Sequence, residues 1–206
     1  MLRILGRPSS INVRKVLWTA DEAGLAFTHE SDWAGARDTR SPEFLALNPN
    51  GLVPVIVTND GVLWESNAIC RYLAGRAARK DLLPDQPFAR AEVEKWMDWT
   101  ATELNTAWRP AFLGLVRKMS GFDEAAIQRS AERWNALMLI LEQRLVETGA
   151  FAAGGTFTVA DVVLGLTVHR WVHTPIARPP MPALHSYYER LQARPAARAW
   201  LSPDFP

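Results

Sequence analysis

The chain has 206 residues, 48% of them hydrophobic and 22% charged, which suits a folded protein with a buried core and excludes a disordered one. The formal net charge of +1 comes from scattered basic residues and argues against nucleic acid or an anionic membrane surface as a partner. Because the single cysteine, Cys70, excludes an internal disulfide and no apolar stretch approaches the roughly 20 residues of a membrane-spanning helix, we expect a cytoplasmic protein without a membrane partner.

The first 80 residues alternate between strand and helix patterns, in the order β-α-β-α-β-β-α. The predicted elements are a strand at 3–6, a helix at 12–23 that stops before Gly24, a strand at 27–31, a helix from Ser41-Pro42 to about 47, strands at 53–57 and 62–64, and a helix capped by Ser66. Asp60-Gly61 is a strong signal for a hairpin between the last two strands. The order predicts a βαβ unit followed by a hairpin and a closing helix.

The strand patterns end near residue 84, and only helical patterns follow. The sequence predicts long helices around 93–107 and 127–145, with Pro110 expected to kink or interrupt the first, and a last helix at 183–194. Thr158 to Asp161 forms a capping box for another helix, with Phe157 and Val162 as its hydrophobic staple. The expected domains are a small α/β domain at 1–80, a linker at 81–86 and an all-helical domain at 87–206.

Val53-Pro54 opens a strand that is expected to lie inside the sheet. A proline there cannot donate to the ladder. A cis peptide bond would explain it, because the turn would leave the polar groups of the preceding residue free to pair with a bound peptide. An ordinary trans proline at a strand edge is the commoner situation, since only about 5–6% of X-Pro bonds in folded proteins are cis.

Glu65-Ser66 lies where the closing helix is expected to begin. A hydroxyl, free backbone N–H groups and a carboxylate together suit an α-amino acid headgroup: its carboxylate would meet the helix N-terminus and its ammonium would meet Glu65. A structural helix cap is the alternative, and taken alone it is the commoner role of a serine at this position.

Ser10 and Asn12 lie in the turn between the first strand and the first helix. Strand-to-helix turns of α/β folds often bind ligands, and a hydroxyl and a carboxamide at a helix N-terminus can donate hydrogen bonds to a thiolate. Capping of the first helix is again the alternative role for both residues.

Three stretches in this order resemble the cytosolic glutathione transferases: 44–54 (FLALNPNGLVP), 63–73 (LWESNAICRYL) and the capping box at 158–161. The resemblance covers nearly the whole chain and is nearest to bacterial members related to the theta, beta and phi classes. It implies a thioredoxin-like N-terminal domain, an all-helical C-terminal domain, a homodimer, glutathione as co-substrate and a role in detoxification.

The resemblance also implies roles for the residues at the peptide part of glutathione. Pro54 would be cis, Val53 would pair through its backbone with the cysteinyl part, and Glu65 and Ser66 would hold the γ-glutamyl group. Leu52 departs from the pattern, because several classes have a glutamine there that reaches glutathione. The glycyl end of glutathione therefore needs another ligand, and Arg37 and Arg40 are candidates for it, although weaker ones than the residues named above.

At the sulfur, Ser10 falls where theta- and phi-like enzymes have their catalytic serine, and Asn12 falls near an asparagine that contacts the thiol in some bacterial relatives. No tyrosine precedes Tyr72 and no cysteine precedes Cys70, so tyrosine-type and cysteine-type catalysis are set aside. Cys70 is expected to pack as a small apolar residue.

The helical domain offers candidates for the second substrate and a weak metal signal. Asn105, Trp108, Arg109 and Trp171 could line an electrophile pocket, although core packing and solvent exposure explain them equally well. His169 and His173 have metal-ligand spacing, but no further ligand accompanies them, and we expect no metal.

Three functions remain open at this stage. The first is transfer of glutathione to a small electrophile such as a halogenated compound. The second is glutathione-dependent reduction of disulfides or peroxides. The third is a glutathione-binding protein that does not catalyse a reaction.

Overall fold

The computed structural model describes residues 1–205. The chain forms two compact units: residues 1–85 together with Phe205, and residues 86–204.

The first unit combines a four-stranded mixed sheet with three helices. Its elements are β1 (Arg3–Leu5), α1 (Ile11–Glu22), β2 (Thr28–Glu30), α2 (Pro42–Leu45), β3 (Val55–Val57), β4 (Val62–Trp64) and α3 (Ser66–Arg76). The strand order is β2-β1-β3-β4; β1 and β2 are parallel, and the other two pairs are antiparallel. This is the predicted thioredoxin-like domain, with a βαβ unit followed by a hairpin and a closing helix.

Local signals explain where several elements of this unit begin and end. Helix α1 stops at Glu22, and Gly24 follows with φ 67°, a left-handed conformation that glycine adopts without steric cost. Ser41 caps α2 by accepting a hydrogen bond from the Phe44 N–H, and Pro42 is the first helical residue, as predicted. The Phe44 ring then packs 4.8 Å from the buried Trp33 ring, beside the sheet residues Leu5 and Val55.

Most boundaries of this unit differ from the sequence predictions by one or two residues, and three of the differences concern α2, β3 and α3. Helix α2 ends at Leu45 and strand β3 begins at Val55, so both elements are shorter than expected. Ser66 is the first residue of α3 and does not cap it; the capping position belongs to Glu65, whose φ is 73°. A carboxylate residue in a left-handed conformation is uncommon, and sequence patterns therefore place the cap one residue too late.

The second unit is helical, as predicted. It contains α4 (Pro87–Trp99), a π-helical segment (Thr100–Leu104), α5 (Asn105–Leu115), α6 (Glu124–Thr148), α7 (Val159–Val172), α8 (Pro182–Gln192) and a short 3₁₀ helix (Pro195–Ala197). Helix α7 is buried along most of its length, and α4 and α8 pack against it, while α5 packs on α6. Among the described residues, no helix is both long and apolar enough to cross a bilayer.

Of the kink or interruption predicted at Pro110, the interruption is wrong, because α5 continues through this residue. A side chain from the neighbouring helix explains how the ladder is maintained. The Ser130 hydroxyl of α6 accepts from the Ala111 N–H at 3.0 Å and donates to the Ala107 carbonyl at 2.5 Å, bridging a gap in the α5 ladder. The irregular stretch is the π-helical segment that precedes α5, a form that is rare and usually short.

The predicted capping box at the start of α7 is present. The Asp161 carboxylate accepts from the Thr158 N–H at 2.8 Å and from the Thr158 hydroxyl at 3.0 Å. The same carboxylate accepts from the Ala152 N–H and the Tyr187 hydroxyl. Asp161 is fully buried, so these donors replace the water that the carboxylate loses on folding.

Candidate functional site

The register of the sheet brings three sequence-predicted segments to one end of it. Leu5 of β1 and Trp64 of β4 both pair with Val55 of β3. The next positions in each strand direction are Gly6, Pro54 and Glu65. Segments that follow or precede registered pairs on adjacent strands are neighbours, so the β1–α1 turn, the proline and the start of α3 lie side by side.

The β1–α1 turn approaches the Val53-Pro54 segment very closely. Gly6 has φ 138°, and a Cβ atom there would lie 2.6 Å from the Val13 Cγ2 atom and 2.8 Å from the Val53 Cβ atom. No residue but glycine satisfies both the conformation and the space. The Val53–Pro54 peptide bond is cis, as the family resemblance implies.

Ser10 and Asn12 both have polar side chains available at the start of α1. Ser10 has the backbone conformation of an N-cap, with φ −83° and ψ 121°, yet its hydroxyl makes no capping bond. Within the described residues 1–205, the Asn12 carboxamide has no hydrogen-bond partner either, and both side chains are half-buried. Neither side chain caps α1, which was the alternative role. The Ser10 hydroxyl and the Asn12 amide therefore remain as donors at the positive end of the helix dipole.

Glu65 and Ser66 lie at the other end of this row. Glu65 is exposed, and a non-glycine residue at positive φ costs about 1–3 kcal/mol, a conformation that is common at ligand sites. Its carboxylate has no partner among residues 1–205. Ser66 is buried in the first turn of α3, where backbone N–H groups lack helical partners. The pair can receive an ammonium and a carboxylate.

A buried asparagine that the sequence analysis missed supports the loop before Pro54. The Asn48 side chain donates to the Leu52 carbonyl at 2.7 Å and accepts from both the backbone N–H and the side chain of Asn50. The Leu52 side chain itself is 63% exposed. The signal was present in the sequence, since an asparagine before Pro49 is a frequent turn former.

The two arginine candidates differ in what surrounds them. Arg37 pairs with the Glu43 carboxylate at 2.8 Å and with Glu30 at 3.6 Å, and its guanidinium stacks 3.5 Å from the Trp33 ring centre. Arg40 has no acidic partner among the described residues. Its side chain packs over Gly51, where a Cβ atom would lie 3.2 Å from Nη1. Arg40 therefore lies at the Leu52-Val53 loop with its charge available.

The electrophile-pocket candidates do not form one cluster. On α5, the Trp108 indole N–H donates to the Asn105 side chain at 3.3 Å, and Arg109 is exposed without a partner in the described chain. Trp171 instead donates to Asn135 of α6 at 2.9 Å. It lines a mostly apolar cavity of about 470 Å³ whose walls contain none of the three α5 candidates.

Arg170 is a neighbour of Trp108 that the sequence analysis missed. This buried guanidinium lies 4.4 Å from the Trp108 ring centre and 4.0 Å from that of Phe112. Such cation–π contacts hold both rings in place. No sequence pattern marks an arginine inside the apolar helix α7 as a partner for α5.

Cys70 and His169, to which the sequence analysis assigned no catalytic or metal-binding role, both make structural contacts. Burial raises the pKa of the Cys70 thiol to about 11, and the thiol donates to the Lys15 carbonyl at 3.5 Å. His169 uses both ring nitrogens, with Tyr188 at 2.6 Å and the Ser202 carbonyl at 3.0 Å. Residues 1–205 contain no group of three or more histidine, cysteine or acidic side chains that could hold a metal ion.

Comparisons with known proteins agree over the length of both units. The family profile "Glutathione S-transferase, N-terminal domain" matches residues 9–76, and "Glutathione S-transferase, C-terminal domain" matches residues 124–202. The chain is 39% identical over 203 residues to glutathione S-transferase GstB of Escherichia coli (strain K12), covering 96% of both chains. It is 34% identical over 204 residues to glutathione S-transferase 3 of Zea mays, covering 97% of this chain and 86% of that one.

Among solved structures, the fold is similar to a theta class glutathione S-transferase from the citrus canker pathogen Xanthomonas axonopodis pv. citri, which was solved with glutathione bound. The TM-score is 0.90 at 38% sequence identity, and the match covers 97% of this chain and 96% of that one.

Proposed function

The chain belongs to the glutathione S-transferase family and is an enzyme with glutathione as its co-substrate, and on that premise we propose that it converts the bound thiol into a thiolate that attacks a small electrophile, for example a halogenated compound. The observation that carries the proposal is the row of Gly6, Pro54 and Glu65 at one end of the sheet, beside the side chains of Ser10 and Asn12, whose donors make no bond within residues 1–205.

The peptide part of glutathione is held by the Pro54 end of this row. The backbone of Val53, which the adjacent proline keeps out of the sheet ladder, pairs with the cysteinyl residue. The ammonium of the γ-glutamyl group meets the unpartnered carboxylate of Glu65, and its carboxylate meets Ser66 and the N–H groups of the first turn of α3. Ionic hydrogen bonds of this kind contribute about 1.5–3 kcal/mol each.

For the glycyl carboxylate we infer that Arg40 is the ligand and that Arg37 is not. Arg37 already neutralises acidic neighbours, chiefly Glu43 and Glu30, so little of its charge is available. Among residues 1–205 Arg40 has no such partner, and it packs over Gly51, directly before the Leu52-Val53 segment. The charge of Arg40 would take the role of the glutamine that several classes have at the position of Leu52.

Thiol activation follows from electrostatics at the start of α1. A free cysteine-type thiol has a pKa near 8.5 and is mostly protonated at neutral pH; each unit of lowering requires about 1.4 kcal/mol of preferential stabilisation of the anion. The Ser10 hydroxyl, the Asn12 amide and the positive end of α1 supply hydrogen bonds and charge for this purpose. The thiol proton leaves to solvent, the sulfur forms a bond to the electrophilic carbon, and the leaving group departs with its electron pair.

For the electrophile we infer contacts from α5, where Asn105 orients Trp108 and Arg109 presents a charge that is unpaired within the described part of the chain. Trp171 lines a separate apolar cavity and is bonded to Asn135, so it is a weaker candidate.

We also propose that the protein forms a homodimer. All three residues of the edge strand β4, Val62, Leu63 and Trp64, are large and apolar, and each is more than a third exposed. Separately, Phe88 at the start of α4 is 72% exposed. Apolar groups of this size in contact with water are typical of self-association surfaces. Sedimentation velocity should give a mass of two chains, and a single-chain mass at micromolar concentration would contradict the proposal.

Substitution of Ser10 tests the mechanism directly. Loss of its hydroxyl removes a donor to the thiolate, so Ser10→Ala should raise the apparent pKa of bound glutathione and move the rising limb of kcat/KM to higher pH. At pH 7 we expect a loss of about ten- to a hundredfold, as for removal of one charged hydrogen bond. Ser186→Ala, on the exposed face of α8, is the matched control.

An unchanged pH profile in Ser10→Ala would transfer the role to Asn12 or to backbone N–H groups. The assay should compare a chlorinated aromatic with a mixed disulfide of glutathione. Preferential turnover of the disulfide would overturn transfer to an electrophile in favour of the reductase function, and binding of glutathione without any turnover would contradict catalysis altogether.

A further inference from the structure

The carbonyl of Gly6, in the turn that carries Ser10, accepts a hydrogen bond from a side chain of the neighbouring strand. The Nε2 atom of His29, in β2, lies 2.8 Å from the Gly6 oxygen. Because a carbonyl oxygen only accepts, Nε2 carries a proton and donates it.

Other polar groups of the same turn are held by the chain that follows His29. The Gly6 N–H donates to the Glu30 carbonyl and the Arg7 N–H donates to the Trp33 carbonyl, both at 3.0 Å. Those two bonds join backbone groups and do not depend on side-chain identity. The bond to the Gly6 carbonyl does depend on a side chain, and substitution of His29 can remove it.

Gly6 requires such a restraint more than most residues would. A glycine at φ 138° has wide conformational freedom, and the peptide that follows it can rotate unless something holds it. Val13 and Val53 fix the position of the Gly6 Cα atom by close contact, but apolar contacts do not orient a carbonyl group. The Gly6–Arg7 peptide is planar, so the bond from the Arg7 N–H to Trp33 holds one edge of it, and the bond from His29 to the Gly6 carbonyl holds the opposite edge.

We propose that His29 is a positioning residue for the reaction: together with the bond from the Arg7 N–H to Trp33 it fixes the Gly6–Arg7 peptide, and through it the direction in which the turn presents the Ser10 hydroxyl to the glutathione sulfur. The inference rests on the proposed role of Ser10 in thiol activation. His29 touches neither glutathione nor the electrophile in this mechanism, and its effect passes entirely through the turn.

The consequence is a specific kinetic pattern. Misplacement of a reacting group by about 1 Å can cost about a hundredfold in rate, so loss of the His29 bond should lower kcat at pH 7 by about ten- to a hundredfold. The apparent pKa of the bound thiol should rise. The KM for glutathione should change by less than about threefold, because Glu65 and Ser66 hold the γ-glutamyl group from another element.

The experiment compares three substitutions of one residue. His29→Leu removes the donor at similar size, and His29→Asn keeps an amide that is too short to reach Gly6. His29→Gln places its amide nitrogen close to the Nε2 position and should restore most of the activity. His185→Leu, at an exposed position on α8, is the control for loss of a histidine. The readouts are kcat, the KM for glutathione, the pH profile and the melting temperature.

A double substitution tests whether His29 acts through Ser10. If it does, His29→Leu combined with Ser10→Ala should be no slower than Ser10→Ala alone, since the second change has no hydroxyl left to misplace. Wild-type kinetics in both His29→Leu and His29→Asn would overturn the inference. So would equal losses in all three variants in parallel with a lower melting temperature, which indicate a structural role only.

The outcome for His29 is distinguishable from the outcome for the proposed function. If Ser10→Ala is fully active, the role of Ser10 fails, whatever His29 does. If Ser10→Ala is impaired while His29→Leu is not, thiol activation by Ser10 stands and positioning by His29 fails. An additive double variant also overturns positioning through Ser10, because it assigns the two residues independent effects. His29→Asn, which stays polar, gives the same comparisons if His29→Leu does not fold.

Discussion

The two units of this chain specify their candidate sites by different means. In the first unit, strand register and backbone conformation set the site: β1, β3 and β4 align Gly6, Pro54 and Glu65, and two of these residues have positive φ. In the second unit, the candidates are side chains on the helices α5 and α7, and no positive φ marks Trp108 or Trp171.

The difference has a physical basis in what each unit is proposed to recognise. A peptide such as glutathione presents fixed backbone groups and charges, and these are met by strand edges and helix N-termini. A small electrophile presents a shape, and shape is met by side chains that differ among proteins of the same fold. The proposed glutathione site of the first unit should therefore be sensitive to backbone changes, and the proposed electrophile contacts of the second unit to side-chain exchange.

The largest effect should come from adding one carbon atom to Gly6. In Gly6→Ala the new Cβ atom meets Val13 and Val53 below 3.0 Å, so the turn must move away from the proline segment. Left-handed strain alone costs about 1–2 kcal/mol, and the clash adds to it. We expect the KM for glutathione to rise more than tenfold and the melting temperature to fall, measured by steady-state kinetics and calorimetry.

Gly24→Ala is the matched control for that substitution. Gly24 also has positive φ, at 67°, but apart from Gly24 and its two chain neighbours no described residue has an atom within 4 Å of the added Cβ position. Its conformational cost is similar, so stability should fall by about 1 kcal/mol, while the KM for glutathione stays unchanged. An equal rise of this KM in both variants would contradict the proposal that glutathione binding depends on the close approach of Gly6 to Val53.

Sequence patterns predict most of the first unit because its signals are local. The glycine that ends α1, the Ser41-Pro42 start of α2 and the Asp60-Gly61 hairpin each act within a few residues of themselves. The capping box at Thr158 is of the same kind in the second unit. Local capping and turn chemistry does not depend on the rest of the fold, so it is visible in one sequence.

What the sequence does not predict depends on contacts between distant residues. Helix α5 continues through Pro110 because the Ser130 hydroxyl of α6 enters its ladder. The bond from His29 to Gly6 spans 23 positions of the chain, and only the sheet brings the two together. The positive φ at Glu65 has no sequence signal, since glycine or asparagine is the usual residue there.

Two substitutions of Glu65 separate the effect of this residue on stability from its effect on glutathione binding. Glu65→Gln removes the charge that is proposed to meet the γ-glutamyl ammonium, so the KM for glutathione should rise about tenfold, with little change in stability. Glu65→Gly removes the same charge and also relieves the left-handed strain, so it should gain about 1 kcal/mol of stability. Thermal melts together with KM measurements compare the two variants. Wild-type KM in both would remove Glu65 from the site.

The smallest effect should come from substitution of Arg40 or Arg37, and these two variants compare an unpaired with a paired arginine near the proposed glutathione site. Arg40→Ala removes the unpaired charge over Gly51, so the KM for glutathione should rise about three- to tenfold, with kcat at saturation unchanged. In Arg37→Ala the acidic neighbours Glu30 and Glu43 lose their ion pairs, and a partly exposed network of this kind contributes about 1 kcal/mol of stability at most. Its KM for glutathione should stay at the wild-type value.

A shorter peptide tests which part of glutathione Arg40 meets. Arg40 is proposed to meet the glycyl carboxylate, so γ-glutamylcysteine, which lacks that glycine, should bind equally to wild type and Arg40→Ala. A difference in affinity between the two proteins for this shorter peptide would assign Arg40 to another part of the ligand.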